Sequence, residues 1–194
     1  MSLLRAFIAI DIPPEIRQAI SHETAGLRQA CGRAVRWVAT ENIHLTLKFL
    51  GEVSSANLEL LRQSIHAECA QTAPFEISVA GLGCFPNPRH PRVLWVGLSA
   101  PSELTHLQRQ IENAATRLGY TPEEKPFSPH LTIGRVREQI TPTELQTLRK
   151  LLEQSTVSAL GTFTVREVHI YKSELRPEGP QYSRLATAQL QKNG

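Results

Sequence analysis

Residues 44–51, with the sequence His-Leu-Thr-Leu-Lys-Phe-Leu-Gly, alternate polar and apolar side chains with a period of two. This period is typical of a strand that packs one face against a core and leaves the other face open. On such a strand His44, Thr46 and Lys48 share the open face, while the apolar residues between them, Phe49 included, point into the core. The imidazole and the hydroxyl then lie side by side, about 7 Å apart at roughly 3.3 Å per residue.

A second copy of this pattern occupies residues 127–135, Phe-Ser-Pro-His-Leu-Thr-Ile-Gly-Arg. His130 and Thr132 again share one face of a predicted strand. A glycine inside a strand indicates a bulge or a close approach of another backbone. Strict alternation would send Arg135 to the core side, but a bulge at Gly134 would turn it towards His130.

The repetition favours a catalytic interpretation. A single His-x-Thr on a strand is more often a structural pair, whereas two copies in matching settings are difficult to explain by packing alone. His169, in a late strand pattern, is the only other histidine that competes with them. The remaining histidines lie in helical patterns or in a proline-rich loop: His22, His66, His106 and His90.

Composition and charge set the broad class. The chain has 194 residues, 41% of them hydrophobic and 20% charged, which suits one domain or two intimately packed lobes. A formal net charge of +3 permits an anionic partner without requiring one. The three cysteines are an odd count without metal-ligand spacing, which indicates a reducing compartment. We therefore expect a cytoplasmic protein, and no apolar run is long enough to span a membrane.

The predicted elements run strand, helix, two strands, helix, two strands, helix, strand, helix, two strands. This order favours an α+β fold with antiparallel sheets, because hairpins and helices are mixed without regular strand–helix alternation. The strand–helix–strand order recurs about twice, and each half carries one His-x-Thr. The helices are predicted from Pro14 to about Cys31, from Ser54 or Ser55 past Cys69, from Ser102 to about Leu118, and from a capping box at Thr141.

Two histidines on facing strands suit general acid–base chemistry, because imidazole has an unperturbed pKa near 6.5. Around a phosphorus centre, one imidazole can deprotonate water while the other protonates the departing oxygen, and two threonine hydroxyls can bind the remaining phosphate oxygens. No metal or cofactor is required. The chain has no nucleotide-binding P-loop and no nucleophile elbow. A zinc site that includes His44 and His130 would need a third ligand, and it stays open as an alternative.

These segments resemble the two-histidine phosphoesterases, specifically the RNA 2′,3′-cyclic phosphodiesterases of bacteria and archaea, also called 2′-5′ RNA ligases. The resemblance covers most of the chain. It implies a bilobed α+β fold, with two antiparallel sheets each flanked by helices, a pseudo-twofold axis and a cleft between the lobes. Residues 1–194 would then form a single bilobed phosphodiesterase domain. The segments that carry the resemblance are 5–10, 36–38, 41–51, 127–135 and 168–173.

The resemblance also implies roles for the repeated residues. His44 would be the proton donor to the ribose 3′-oxygen and His130 the proton acceptor that activates water, while Thr46 and Thr132 would hold the phosphate. The product would be a 2′-phosphate, formed without metal. Members of this family can also join tRNA halves through a 2′-5′ linkage, with a 5′-hydroxyl in place of water.

Further residues are candidates for substrate binding. Arg135 suits a phosphate oxygen, and Lys48 would add positive charge on the His44 face. Phe127 is a candidate for stacking on a terminal base, together with Phe7, Trp37 and Tyr171. A basic rim for RNA is the third possibility, formed by Arg89, His90 and Arg92.

Two alternatives remain open from the sequence. The chain would be a non-catalytic binding module if it only held an RNA end or a nucleotide, although all four catalytic-type side chains are present. A small cyclic nucleotide is the second alternative, as the substrate in place of RNA with a 2′,3′-cyclic phosphate terminus, because the motifs describe the phosphate and not what is attached to it. We expect a monomer with no membrane partner.

Overall fold

The computed structural model of the protein describes residues 3–177 and 179–191. Alternating or continuous apolar segments form its strands, as their periodicity predicts. In chain order these are β1 (Leu4–Asp11), β2 (Val35–Trp37), β3 (His44–Val53), β4 (Phe75–Phe85), β5 (Val93–Ser99), β6 (His130–Val136), β7 (Gly161–Val165), β8 (Glu167–Arg176) and β9 (Gly179–Gln189).

The helices are α1 (Pro14–Glu23), α2 (Ala25–Cys31), α3 (Ser55–Ala70), α4 (Ser102–Arg117) and α5 (Pro142–Gln154). The capping box predicted at Thr141 is confirmed, since its side chain and that of Glu144 each bind the other's backbone amide. The single helix predicted from Pro14 to Cys31 is wrong in one respect. Thr24 leaves the helical conformation and its hydroxyl donates to the Ile20 carbonyl at 2.8 Å, so the helix divides there into two.

All pairs of neighbouring strands are antiparallel, in the order β7-β4-β5-β6-β3-β1-β8-β9, with β2 paired to β6. The α+β class is confirmed, but the two predicted sheets are joined into one. One half of this sheet contains β7, β4, β5 and β6 with β2 attached, and the other contains β3, β1, β8 and β9. The halves meet where Leu45 of β3 pairs with Leu131 of β6. The join depends on a contact between distant parts of the chain, which local periodicity does not reveal.

One continuous core lies on the face of the sheet opposite the two motif histidines. α3 packs against β8, β9 and α4, while α2 and α5 pack against each other and against β2 and β4 respectively. Leu45, Leu94 and Leu131 are all buried in this core. The strand positions that alternate with them therefore point to the other face, where the polar residues of β3 and β6 lie.

The three cysteines, Cys31, Cys69 and Cys84, are free and buried. Burial, with a smaller contribution from the charge of Glu68, raises the pKa of Cys69 to about 12. These thiols therefore stay protonated and serve as small apolar side chains. Among the helices of the described residues, none combines the length and the hydropathy that a membrane crossing requires.

Candidate active site

The join between the two halves of the sheet brings the repeated residues together. Leu45 pairs with Leu131, and the two strands run antiparallel. The residue before Leu45 therefore lies across from the residue after Leu131, and the reverse also holds. His44 thus faces Thr132, and Thr46 faces His130.

Both histidine rings are fixed in the same way. Nδ1 of His44 lies 2.7 Å from the carbonyl oxygen of Asn42, and Nδ1 of His130 lies 2.7 Å from that of Ser128. Because a carbonyl only accepts, each Nδ1 carries a hydrogen and donates it. In the described part of the chain neither Nε2 has a hydrogen-bond partner. Each Nε2 is therefore the nitrogen available to a substrate.

A bulge follows the second His-Thr pair. Trp95 of β5 pairs with Thr132 and Leu94 with Gly134, so Ile133 is the extra residue. The face of the strand changes there, and Arg135 joins the face of Thr132, as the glycine in the sequence predicts. Gly134 is required for a steric reason, because a Cβ atom there would lie 2.6 Å from Val35 Cγ1.

The first His-Thr pair is followed by the same bulge, which the sequence does not reveal. Ile8 of β1 pairs with Lys48 and Ala9 with Thr46, so Leu47 is the extra residue. The prediction that Lys48 shares the His44 face is therefore wrong. Its Nζ lies in the core, 2.7 Å from Glu112 Oε1 and 2.6 Å from the Thr121 carbonyl oxygen, so Lys48 does not line the face of the sheet that carries His44 and His130.

Phe49 changes face with Lys48. The alternation predicts that Phe49 points into the core, but 59% of its surface is exposed. It pairs with Phe7 of β1, and the two ring centroids lie 6.3 Å apart. An exposed aromatic side chain therefore lies on the same face as the histidines.

Aromatic rings support both histidines. Phe7 stacks on His44 with centroids 4.8 Å apart, and Tyr182 meets the His44 ring edge-on at 5.4 Å. On the other half, Phe85 meets the His130 ring edge-on at 4.9 Å. Sequence reasoning missed Tyr182 and Phe85, because both come from strands far along the chain and neither belongs to a motif.

The candidates for base stacking have different surroundings. Phe7 is only 4% exposed and packs beneath His44, so it offers no free face. Trp37 packs against the core, with the Arg28 guanidinium 5.0 Å from its ring centroid. Tyr171 is half-buried and its hydroxyl donates to the Asp11 carboxylate. Phe127 is partly buried against the core, and its role in stacking stays a prediction.

The electrostatic environment of His44 has two opposing parts. Burial lowers the pKa of His44, while the hydrogen bond to the Asn42 carbonyl and the charge of Asp11 raise it, and burial prevails. Asp11 pairs with His44 across β1 and β3. Its carboxylate accepts hydrogen bonds from Tyr171 at 2.8 Å and from Arg184 at 2.7 Å, which hold the charge in place.

His169 has a structural setting. It is completely buried, its Nδ1 lies 3.0 Å from the Thr187 hydroxyl, and its Nε2 lies 3.3 Å from Glu167 Oε1. A cavity of about 460 Å³ lies beside it and includes Asp11 in its lining, but neither His44 nor His130 lines that cavity. The competing histidine therefore does not join the motif pair.

The β8–β9 hairpin reaches the region around His44. The Asn42 side chain donates to the Pro180 carbonyl at 3.0 Å, although the two residues are 138 positions apart. Asn42 is also the residue whose carbonyl holds His44. The curl of the sheet thus brings Tyr182 against His44, a long-range contact without a signal in the sequence.

Two further predictions concern metal ligands and a basic rim. The described residues contain no group of three His, Cys, Asp or Glu side chains placed to hold a metal ion. Arg89, His90 and Arg92 are exposed in the loop between β4 and β5, and the carbonyl of Arg89 accepts a hydrogen bond from Arg149. The basic rim stays a prediction.

Known proteins resemble this chain over nearly its whole length. The model of the 2′-5′ RNA ligase superfamily matches residues 12–177. An RNA 2′,3′-cyclic phosphodiesterase of Methanothermobacter thermautotrophicus is 35% identical over 187 residues, which are 96% of this chain and 99% of that protein. The enzyme of the same name from Archaeoglobus fulgidus is 36% identical over 182 residues, which are 94% of this chain and 98% of that protein.

Solved structures share the fold. A crystal structure of a Thermus thermophilus protein superposes with a TM-score of 0.82 at 27% identity, covering 98% of this chain and 100% of that one. Escherichia coli LigT, crystallised with 3′-AMP, superposes with a TM-score of 0.79 at 28% identity, covering 97% of this chain and 99% of that one.

Proposed function

This chain belongs to the 2′-5′ RNA ligase superfamily, and on that premise we propose that it hydrolyses the 2′,3′-cyclic phosphate at an RNA terminus to a 2′-phosphate. The observation that carries the proposal is the antiparallel pairing of Leu45 with Leu131, because this register places His44 opposite Thr132 and His130 opposite Thr46. Relatives named RNA 2′,3′-cyclic phosphodiesterase support the same activity. We propose that residues 1–194 act as one catalytic domain.

The two histidines divide the proton transfers. His130 Nε2 takes a proton from water as the water oxygen bonds to phosphorus, and the bond from phosphorus to the ribose 3′-oxygen breaks. His44 Nε2 gives its proton to that 3′-oxygen. The product carries a 2′-phosphate and a free 3′-hydroxyl. His130 ends with the proton that it took from water, and His44 ends neutral because its proton is now on the 3′-oxygen.

The other polar groups act on the phosphate. Thr46 and Thr132 donate hydrogen bonds to the non-bridging oxygens, where negative charge increases as water attacks. Arg135 lies on the same face, beyond Thr132 along β6, and its guanidinium suits an oxygen of another phosphate of the RNA chain. Lys48 has no part in this arrangement because its side chain is in the core.

The role of His44 as the acid requires its imidazolium form. Burial lowers the pKa of His44 in the free protein, which favours the neutral ring. A phosphodiester anion in the cleft acts in the opposite direction, together with Asp11, because a nearby negative charge stabilises the imidazolium. Substrate binding therefore helps to load the proton that His44 delivers.

Reversal of this reaction gives a second activity of the same groups. A 5′-hydroxyl in place of water would attack the cyclic phosphate and form a 2′-5′ linkage, with the strained ring as the source of free energy. The name of the superfamily supports ligation as a second candidate. The binding module and the small cyclic nucleotide remain the alternatives that experiment must separate.

The test is the incubation of a short RNA that ends in a 2′,3′-cyclic phosphate with the protein in excess EDTA, followed by identification of the product. We expect a 2′-phosphate. Activity that appears only after zinc or manganese is added would support metal-assisted hydrolysis. RNA binding without product under any condition would make the protein a binding module.

Alanine variants of the motif histidines test the assignment of residues. His44→Ala and His130→Ala should each lower kcat by at least about 100-fold, because positioned acid and base groups contribute about 10² to 10⁴ in rate. His66→Ala is the matched control, since His66 is exposed on α3. Near-normal turnover in either motif variant would refute the acid–base assignment.

A further inference from the structure

Two arginines face each other at one end of the cleft, Arg36 on β2 and Arg135 on β6. We propose that this pair binds the phosphodiester group on the 5′ side of the terminal nucleotide, so that the enzyme prefers an RNA end to a mononucleotide. The proposal rests on the proposed function. It adds that the preferred substrate is an RNA end and not a small cyclic nucleotide.

The register of the strands places both side chains on the cleft face. Arg135 pairs with Arg36 on one side and with Val93 on the other, and residues paired across strands share a face. On β2, Val35 is buried and Trp37 packs against the core, so Arg36 between them points the other way. Both guanidinium groups therefore lie on the face of Thr132.

The two charges have no counter-ion among the residues that the structure describes. Within residues 3–177 and 179–191, neither arginine forms an ion pair or a side-chain hydrogen bond, and both are exposed. Like charges directly opposite each other on neighbouring strands destabilise a sheet. An anion held between the two side chains would remove that repulsion, and guanidinium is the side chain best suited to phosphate.

The pair lies at the end of the cleft where His44 lies. Thr132 faces His44, and Arg135 follows Thr132 along β6, so the arginines continue in that direction. Tyr182 supports this placement, because its ring contacts His44 and the charge of Arg135 also reaches it. Burial raises the pKa of Tyr182, and the charge of Arg135 opposes that rise.

The chemistry sets the direction of the RNA chain. His44 protonates the 3′-oxygen, so the ribose that carries this oxygen lies at the His44 end. The 5′-phosphodiester of the same ribose then lies at that end too, within the region of Arg36 and Arg135. A nucleoside 2′,3′-cyclic phosphate has no such group and can use only the contacts to the cyclic phosphate.

The experiment compares two substrates that carry the same 2′,3′-cyclic phosphate end. These are cytidine 2′,3′-cyclic phosphate and a dinucleotide that ends in the same group. Wild-type kcat/KM should be at least about tenfold higher for the dinucleotide, as expected for charge-assisted hydrogen bonds to one phosphate. Arg36→Gln should remove most of this ratio, chiefly by lowering the value for the dinucleotide, and Arg36→Lys should keep part of it.

A matched control and an altered substrate complete the design. Arg109→Gln removes an exposed arginine from α4 and should leave the ratio at the wild-type value. A dinucleotide with an uncharged methylphosphonate linkage should lose the preference with the wild-type enzyme. This substrate removes the charge of the linkage from the RNA side. The result therefore does not depend on whether the Arg36 variants fold.

Several results would overturn the proposal. These are equal kcat/KM for both substrates with the wild type, an unchanged ratio in Arg36→Gln, an equal loss on both substrates in that variant, or full preference for the methylphosphonate. All of them leave hydrolysis of the cyclic phosphate intact. Absence of hydrolysis of either substrate by the wild type would instead refute the proposed function.

Discussion

β3 and β6 carry the same chemistry on the same backbone. In each strand a histidine donates Nδ1–H to the carbonyl two residues before it, at 2.7 Å in both cases. A threonine follows two residues later, and a bulge follows the threonine. An aromatic ring meets each imidazole edge-on, Tyr182 at His44 and Phe85 at His130. Up to the bulge the two strands are nearly interchangeable.

Beyond the bulge the strands differ. The next two residues are Lys48 and Phe49 in β3, but Gly134 and Arg135 in β6. Lys48 fills the core and pairs with Glu112, whereas Gly134 leaves room for β2 to pack closely. Phe49 and Arg135 both turn to the face that carries the histidines, and both are exposed there, one as an aromatic ring and one as a cation. In the proposed mechanism the residues that the two strands share perform the catalysis, and the residues that differ distinguish the two ends of the site.

The threonines belong to the segment in which β3 and β6 agree. Their substitution should give the largest effect on turnover among the changes that test this comparison. Thr46→Val and Thr132→Val remove a hydroxyl with little change of shape. Each should lower kcat by about 100-fold, as for the loss of one donor to a developing charge. Circular dichroism should be unchanged. Normal turnover in one variant would show that only one half of the site binds the phosphate.

Lys48 tests the segment beyond the bulge, where β3 and β6 differ. Lys48→Met leaves the Glu112 carboxylate without its partner, and the free energy of unfolding should fall by about 3 kcal/mol in urea denaturation. Turnover per folded molecule should be close to normal, because the side chain does not reach the cleft. Lys150→Met, at an exposed position on α5, is the control.

The double variant Lys48→Met/Glu112→Leu refines that prediction. It replaces the buried pair by apolar groups and should recover most of the lost stability. A variant of Lys48 that keeps its stability but loses activity would return Lys48 to the substrate site.

Gly134 gives a smaller effect on stability. A methyl group at Gly134 would overlap Val35, so Gly134→Ala should lower the free energy of unfolding by about 1–3 kcal/mol. Gly26→Ala is the matched control, because a Cβ atom there meets nothing within 4 Å. That change lies in a helix and should be neutral or slightly stabilising. An unchanged stability in Gly134→Ala would show that β2 and β6 do not pack this closely.

The smallest effect is the pH dependence that His44 contributes. Burial lowers the pKa of His44 in the folded state, so the folded protein binds fewer protons than the unfolded chain. The unfolding free energy should therefore fall as the pH decreases from about 7 through the unfolded pKa near 6.5. The fall is about 1.4 kcal/mol for each tenfold difference in proton affinity between the folded and unfolded states.

His44→Gln should remove this part of the pH dependence. An NMR titration of His44 in the wild type should give a pKa below its ordinary value of about 6.5. A pKa at or above that value would contradict a ring whose burial outweighs the charge of Asp11.

Much of the site is predictable from the sequence because it depends on local pattern. Both His-x-Thr pairs are visible from the alternation of polar and apolar residues, and Gly134 predicts the bulge that reorients Arg135. The bulge in β3 has no such marker, since Lys48 and Phe49 continue a regular alternation. Burial of Lys48 is decided by Glu112, 64 residues away, which no local rule includes.

The rest of the site depends on the path of the whole sheet. Tyr182 reaches His44 because the β8–β9 hairpin curls towards Asn42, and Arg36 reaches Arg135 because β2 adds to β6. The pairing of Leu45 with Leu131 merges the two predicted sheets in the same way. Each of these contacts joins segments far apart in the chain, where periodicity carries no information about partners.

The division of proton transfer between the two histidines is tested most directly by the pH profile of kcat/KM for cytidine 2′,3′-cyclic phosphate. The wild type should give a bell-shaped profile. The residual activity of His44→Ala should lose the alkaline limb, because the acid is absent, and that of His130→Ala should lose the acidic limb, because the base is absent. Two variants that lose the same limb, or that both keep the bell, would contradict the assignment of acid and base.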